Sequence, residues 1–139
     1  MKKFISFFFI QTILIFSVIN PLKSYVININ NKELIELHKQ DVPIVDIRTV
    51  NEWMETGVIP NSHTLTFANH SNNKDINFWV SELSKLINLA DPFIIICRSG
   101  NRSKSLSQKL LSKNLLNNFY NAKEGVSKWI LNGGKTIEY

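Results

Sequence analysis

One stretch, residues 93–103, constrains the fold of this chain more than any other. It begins with four consecutive apolar residues, 93–96, which follow a proline. A short apolar run of this kind is typical of a strand that is buried on both faces of a parallel sheet. Cys97 stands directly after it, and the apolar spacing of residues 103–113 predicts an amphipathic helix. A strand, a tight loop and a helix N-terminus together form a cradle for anions.

The cysteine loop, defined as residues 97–102, is too polar and too charged to be part of a hydrophobic core. Cys97, the one cysteine of the chain, is followed by cationic, small and polar residues: Arg98, Ser99, Gly100, Asn101, Arg102 and Ser103. A helix N-terminus and neighbouring cations favour the thiolate form of a cysteine. We therefore expect Cys97 to be a covalent nucleophile, with the loop amides stabilising the charge that develops. The alternative is an inert buried thiol, which is common among free cysteines.

Predicted strands alternate with predicted helices along the rest of the chain. Strands are expected at 25–29, 43–48, 63–67, 93–96 and 116–120, and helices at 32–39, 50–56, 75–89, 103–113 and 126–131. The polar residues 68–74 are expected to form a surface loop. This alternation predicts an α/β fold, a mostly parallel five-stranded sheet flanked by helices on both faces.

Charged residues also end the second predicted strand. Asp46 and Arg48 stand there, and Glu52 follows in a capping box with the threonine at position 49. Ligands of parallel sheets bind beyond the carboxyl ends of the strands, which brings these residues near Cys97. We expect all three to support the cysteine loop, with Arg102 bracing against Asp46 and Arg48 pairing with Glu52.

Residues 1–24 have the features of a secretory signal peptide. Two lysines follow the initial methionine, a largely apolar run occupies residues 4–19, and a polar segment with a proline ends the stretch. The apolar run is 16 residues long, shorter than the roughly 20 that span a bilayer. We predict export to the periplasm or the medium and a single mature domain at 25–139, without stable membrane insertion. An uncleaved anchor is the alternative, because Leu22 is not the small residue preferred before a cleavage site.

Composition excludes several other classes of function. The chain carries a net charge of +5, but removing residues 1–24 removes three lysines and no acid, which leaves +2. So small a charge predicts no nucleic-acid partner. A lone cysteine cannot form an internal disulfide, and the three histidines are too scattered for a metal site. We therefore expect neither a metal nor another cofactor.

The cysteine loop together with Ser103 resembles the active-site loop of the rhodanese family, the thiosulfate sulfurtransferases. Three other segments agree: residues 45–48 with the Glu52-Trp53 pair, the turn at 57–62, and the C-terminal stretch 125–134. The turn matches only in part, since valine and asparagine replace a histidine and a glycine of the family pattern. The resemblance covers residues 26–135, and the layout is similar to single-domain exported rhodaneses of the periplasm.

This resemblance implies a two-step sulfur transfer. Cys97 would take the sulfane sulfur of thiosulfate or a persulfide, and cyanide or a thiol would then accept it. Arg98 would orient the anionic donor. The loop of this chain has the pattern Cys-x4-Arg, whereas the loop of cysteine phosphatases has the pattern Cys-x5-Arg and is one residue longer. In those phosphatases a histidine commonly precedes the cysteine, where this chain has Ile96. A persulfide carrier for an exported partner is an alternative function, and a phosphatase or arsenate reductase of the same fold is a further one.

Overall fold

The computed structural model describes residues 25–67 and 76–139, which form alternating strands and helices. The strands are β1 (Val26–Ile29), β2 (Ile44–Asp46), β3 (His63–Thr64), β4 (Ile94–Ile96) and β5 (Phe119–Ala122). The helices are α1 (Asn31–Lys39), α2 (Val50–Thr56), α3 (Ile76–Leu83), α4 (Asn101–Ser112) and α5 (Gly125–Leu131). The predicted signal peptide and the loop at 68–74 lie outside the described residues.

All five strands are parallel, in the order β1-β5-β4-β2-β3. The sheet was predicted to be mostly parallel with five strands, and this prediction is confirmed. Because β4 lies at the centre and the strands run in one direction, their carboxyl ends meet at one edge. Cys97, which follows β4, and Arg48, which follows β2, therefore stand at neighbouring positions on that edge.

The two faces of the sheet bury two separate apolar clusters. Alternate residues of a strand point to opposite faces, so Ile95 joins the cluster that contains Trp79 of α3, whereas Ile94 joins the cluster that contains Trp129 of α5. Ile94, Ile95 and Ile96 are all fully buried. Burial on both sides explains why β4 appears in the sequence as a continuous apolar run instead of an alternating one.

The last strand differs from the prediction of 116–120. Asn118 adopts a left-handed conformation with φ of 64° and ends the preceding turn, so β5 begins at Phe119 and continues to Ala122. The polar Asn121 obscured this strand, because its side chain is buried and donates a hydrogen bond to Asn28 Oδ1 at 2.8 Å. A buried polar residue of this kind interrupts the apolar pattern by which a strand is predicted.

Two helices differ from their predicted bounds by more than one residue. The helix predicted at 75–89 ends at Leu83, and a series of turns carries the chain onward to bury Ile87. α4 begins at Asn101, two residues before the predicted start, because Gly100 takes the cap position. The first turn of α4 therefore includes the end of the cysteine loop. In the part of the chain that the structure describes, no helix has the length and apolar character to cross a bilayer.

Candidate active site

Cys97 occupies a buried position at the carboxyl end of β4, with only 1% of its surface exposed. Its sulfur faces the loop that follows. The backbone N–H of Gly100 donates to Sγ at 3.1 Å, and the N–H of Ser103 donates to Sγ at 3.4 Å. The Ser103 hydroxyl lies 3.5 Å from Sγ and donates to the carbonyl of Gly100 at 3.1 Å. The two amides, of Gly100 and Ser103, therefore both point at Sγ, where they could stabilise a negative charge.

Gly100 allows the loop to close this tightly. Its φ is 93°, a left-handed value that costs residues with a Cβ about 1–2 kcal/mol. A Cβ at this position would also lie 1.9 Å from the carbonyl oxygen of Lys123, in the turn after β5. The loop is thus held between its own sulfur and the β5–α5 turn, and only glycine fits there.

α5 fixes the loop from its outer side. The N–H of Val126 donates to the carbonyl of Cys97 at 2.9 Å, and the N–H of Ser127 donates to the carbonyl of Arg98 at 3.0 Å. Gly125 permits this approach, since a Cβ there would lie 2.3 Å from the Arg98 oxygen. The carbonyls of Cys97 and Arg98 thus point outward to α5, while the amides of Gly100 and Ser103 point inward to the sulfur. The sequence analysis used Gly125 only as part of a family signature and did not assign it this supporting role.

Arg102 and Glu52 form a bidentate ion pair that ties the loop to α2. Arg102 Nη2 lies 2.6 Å from Glu52 Oε1, and Nη1 lies 2.8 Å from Oε2. The same carboxylate accepts the backbone N–H of Thr49 at 3.0 Å as part of the predicted capping box, which is confirmed. The pair with Arg102 and the hydrogen bonds of Thr49 lower the pKa of Glu52 to about 2, and Glu52 raises the pKa of Arg102.

Arg48 and Asp46 form a second ion pair beneath the loop. Both residues are buried, and Arg48 Nη2 lies 2.7 Å from Asp46 Oδ2 while Nε lies 3.0 Å from both carboxylate oxygens. The remaining guanidinium donors contact Thr56 Oγ1, the carbonyl of Gly57 and, more weakly, the carbonyl of Glu52. Arg48 thus joins the end of β2 to the end of α2, and all its donors are used.

These two pairs correct the predicted pairing of the four charged residues. Arg102 was expected to bind Asp46, and Arg48 was expected to bind Glu52; the structure exchanges the partners. The physical reason is that the carbonyls at the end of α2 draw Arg48 inward, where it neutralises the buried Asp46. The capping box leaves the Glu52 carboxylate at the start of α2, within reach of the first turn of α4. Arg102 is itself the last residue of the loop, and of the other three residues Glu52 contacts it directly.

The outer side of the loop carries the groups that a substrate would meet first. Arg98, Ser99 and Asn101 are exposed, whereas Gly100 and Ser103 are buried against the sulfur. No ion pair or side-chain hydrogen bond involves Arg98 within residues 25–67 and 76–139. Arg98 is therefore available to an anion approaching Cys97, in contrast to Arg102.

Comparisons with known proteins agree with this architecture. The family model of the rhodanese-like domain matches residues 30–132. Among solved structures, a rhodanese-related protein from Thermoplasma volcanium is 25% identical, with a TM-score of 0.59 and coverage of 81% of this chain and 98% of that one. None of the curated protein sequences compared with this chain is significantly similar to it.

Two further solved structures share this fold. A Rhodopseudomonas palustris protein of unknown function, called a possible tyrosine phosphatase, is 26% identical, with a TM-score of 0.61 and coverage of 81% of this chain and 85% of that one. A thiosulfate sulfurtransferase from Pseudomonas aeruginosa shares the fold at 20% identity and a TM-score of 0.63, over 81% of this chain and 20% of that one. Since the family model covers most of the chain, this protein belongs to the rhodanese-like domain family.

Proposed function

We propose that this protein is a sulfurtransferase that moves the sulfane sulfur of thiosulfate, or of a persulfide, through Cys97 to cyanide or a thiol. The observation that carries this proposal is the six-residue cysteine loop, in which two amides face Sγ while Glu52 holds Arg102. Such a cradle offers donors for one extra sulfur atom at the position of a persulfide. It offers no free arginine at the end of the loop.

In the first half-reaction, the thiolate of Cys97 attacks the outer sulfur of thiosulfate. A new sulfur–sulfur bond forms, the sulfur–sulfur bond of thiosulfate breaks, and sulfite leaves with the electron pair. Arg98 is exposed beside Cys97 and orients the sulfonate end of the donor through its charge. The amides of Gly100 and Ser103 stabilise the anionic persulfide that results.

In the second half-reaction, cyanide or a thiolate attacks the outer sulfur of the persulfide and Cys97 leaves as a thiolate. Each step is written for an anionic nucleophile, first the Cys97 thiolate and then cyanide or a thiolate, so neither step transfers a proton. Hydrolysis of phosphate esters has less support, because an arginine that binds phosphate would have to leave a carboxylate that it contacts at 2.6 and 2.8 Å.

The test is the formation of thiocyanate from thiosulfate and cyanide by the purified protein. We expect turnover with the wild-type protein and none with Cys97→Ser, which replaces the nucleophilic sulfur by a hydroxyl oxygen. Equal activity in the variant would overturn the proposal. Turnover of a phosphate ester in the absence of any sulfur transfer would favour the phosphatase alternative instead.

The burial of Cys97 favours one second candidate, a persulfide carrier for an exported partner. A cysteine that is 1% exposed, with two amides donating to its sulfur, would hold a persulfide in a protected position. Intact-mass analysis after thiosulfate treatment distinguishes the two functions. A stable gain of one sulfur atom with negligible steady-state turnover would indicate a carrier, whereas rapid turnover would indicate an enzyme.

We also propose that the protein is exported and acts in the periplasm or outside the cell. The support is the basic, apolar and polar order of residues 1–24. Expression of the full chain should yield a mature protein in the exported fraction whose mass corresponds to cleavage near residue 24. A full-length protein retained in the membrane fraction would indicate the uncleaved anchor.

A further inference from the structure

The β5–α5 turn, residues 123–125, contacts the cysteine loop at two points. The carbonyl oxygen of Lys123 packs against Gly100 so closely that a Cβ on this glycine would lie 1.9 Å from it. Gly125 packs against the carbonyl of Arg98 in the same way, because a Cβ there would lie 2.3 Å from the oxygen. The position of the turn therefore limits how the loop can fold around its sulfur.

Glu124, the middle residue of the turn, uses its side chain away from the helix that it precedes. It occupies the N-cap position of α5, where a side chain commonly accepts an amide of the first turn. No amide of α5, a helix that the structure describes in full, donates to this carboxylate. Instead, Oε2 of Glu124 accepts the backbone N–H of Asn31 at 2.6 Å, across 93 positions of the sequence. Because Asn31 is the buried first residue of α1, this bond links the turn to another helix.

The start of α1 is a firm anchor for such a link. The first N–H groups of a helix have no partner within the helix, and the helix dipole favours a carboxylate beside them. A capping box between Asn30 and Glu33 fixes the same helix start from its own residues. A backbone bond runs in parallel with the Glu124 contact, since the N–H of Lys123 donates to the carbonyl of Ile29 at 3.0 Å. The turn is therefore attached to the β1–α1 junction by one backbone bond and one side-chain bond.

We infer that Glu124 is a positioning residue for the reaction of Cys97: it fixes the β5–α5 turn, and through the turn the cysteine loop, to the start of α1. This inference rests on the sulfurtransferase function proposed above, and it gives Glu124 no contact with the substrate. Without the carboxylate, the turn loses its link to α1 and retains the backbone bond of Lys123. The turn is then less firmly held against Gly100 and Arg98. The amides that donate to Sγ are placed less precisely, and the persulfide forms more slowly.

Three variants separate this positioning role from a simple stabilisation of α1. Glu124→Ala removes the acceptor of the Asn31 N–H, whereas Glu124→Gln keeps an oxygen that can accept the same bond. Glu33→Ala is the matched control, because the Glu33 carboxylate accepts the N–H of Asn30 at 2.8 Å at the same helix start. Each alanine variant removes one carboxylate and one backbone hydrogen bond from the start of α1. Of these two lost bonds, only the Glu124 bond joins α1 to the turn.

The first measurement is the single-turnover rate of persulfide formation with thiosulfate, followed by intact mass where all variants are folded. We expect Glu124→Ala to react about tenfold more slowly than wild type, the effect of losing one hydrogen bond to a charged group. Glu124→Gln and Glu33→Ala should stay within about threefold of the wild-type rate. Equal rates in the two alanine variants would overturn the inference. A Glu124→Gln variant as slow as Glu124→Ala would refute positioning through this hydrogen bond.

Hydrogen exchange tests the positioning without any sulfur chemistry. The amides of Val126 and Ser127 donate to loop carbonyls at 2.9 and 3.0 Å, so a loosened turn should expose them to solvent. We expect both amides to exchange about tenfold faster in Glu124→Ala and at the wild-type rate in Glu33→Ala. Unchanged exchange in Glu124→Ala would reject the role of Glu124.

The two levels of proposal can fail separately. If thiosulfate adds no sulfur to Cys97 in any of these proteins, the proposed donor is wrong, and hydrogen exchange still decides whether Glu124 holds the loop. If the persulfide forms equally fast in all of them, the transferase function stands and the positioning role of Glu124 is rejected.

Discussion

The contact between Gly125 and the cysteine loop allows a sharp test of how precisely the loop must be held. In Gly125→Ala, the added Cβ would lie 2.3 Å from the oxygen and 2.5 Å from the carbon of the Arg98 carbonyl. That is about 1 Å closer than such atoms optimally approach. Both neighbours are backbone atoms, so no side chain can rotate away. The loop and α5 must therefore separate.

Gly133→Ala is a matched control, because Gly133 also has a left-handed φ, 79° compared with 67° at Gly125, but its Cβ would meet no atom within 4 Å. Both variants carry the left-handed strain of about 1–2 kcal/mol. Gly125→Ala adds the cost of overpacking, about 1–3 kcal/mol. We expect the free energy of unfolding, measured in urea, to fall by about 1–2 kcal/mol in the control and about 2–5 kcal/mol in Gly125→Ala.

The activities should differ more than the stabilities. A displacement of about 1 Å between reacting groups lowers rates about 100-fold, so persulfide formation on folded Gly125→Ala should slow by about that factor, while Gly133→Ala stays close to wild type. Single-turnover intact-mass measurements with thiosulfate, made where both variants are folded, give these rates. Equal rates in the two variants would refute the claim that α5 positions the loop.

Three further tests concern the remaining supports of the loop. Because the folded state lowers the pKa of Glu52 from 4.5 to about 2, its ionised form adds stability at neutral pH that is lost as the pH falls from 4.5 towards 2. Glu52→Gln should remove this pH dependence, about 1 kcal/mol after solvent screening, from urea unfolding measured across that range. Arg48→Met should lower the free energy of unfolding by about 3–5 kcal/mol because it leaves the buried Asp46 carboxylate without a neutralising charge, and the double variant Asp46→Leu with Arg48→Met should recover part of the loss; no recovery would contradict this account. Ser103→Ala should slow persulfide formation about tenfold by removing the hydroxyl beside Sγ, whereas Ser103→Thr should retain more activity; an unchanged rate in the alanine variant would exclude the hydroxyl from the reaction.

Features that depend on local sequence were predictable. The apolar run of β4, the capping box at Thr49 and Glu52, and the position of Cys97 at the end of a strand all follow from residues close together in the chain. The alternation of strands and helices was then enough for the fold class, since parallel strands need crossover connections.

Features that depend on contacts between distant segments were not predictable from one sequence. To predict the correct pairing of the four charged residues, one must know that the end of α2 offers carbonyls to Arg48. The support that α5 gives to the loop joins residues 97 and 98 to residues 126 and 127, with only the glycine at 125 as a sequence signal. β5 was misplaced because it buries the polar Asn121, whose amide N–H donates to a side chain of β1.

The Glu52 carboxylate couples the local unfolding of two helices. One group both caps α2 and holds Arg102, so α2 cannot fray at its start without releasing the first turn of α4. The two helix starts should therefore behave as one cooperative unit, and their amides should exchange hydrogen with solvent at a common rate. A single local unfolding event in this unit would release the loop that positions Cys97. Substitutions that make the unit more resistant to local unfolding should therefore also keep Cys97 reactive for longer.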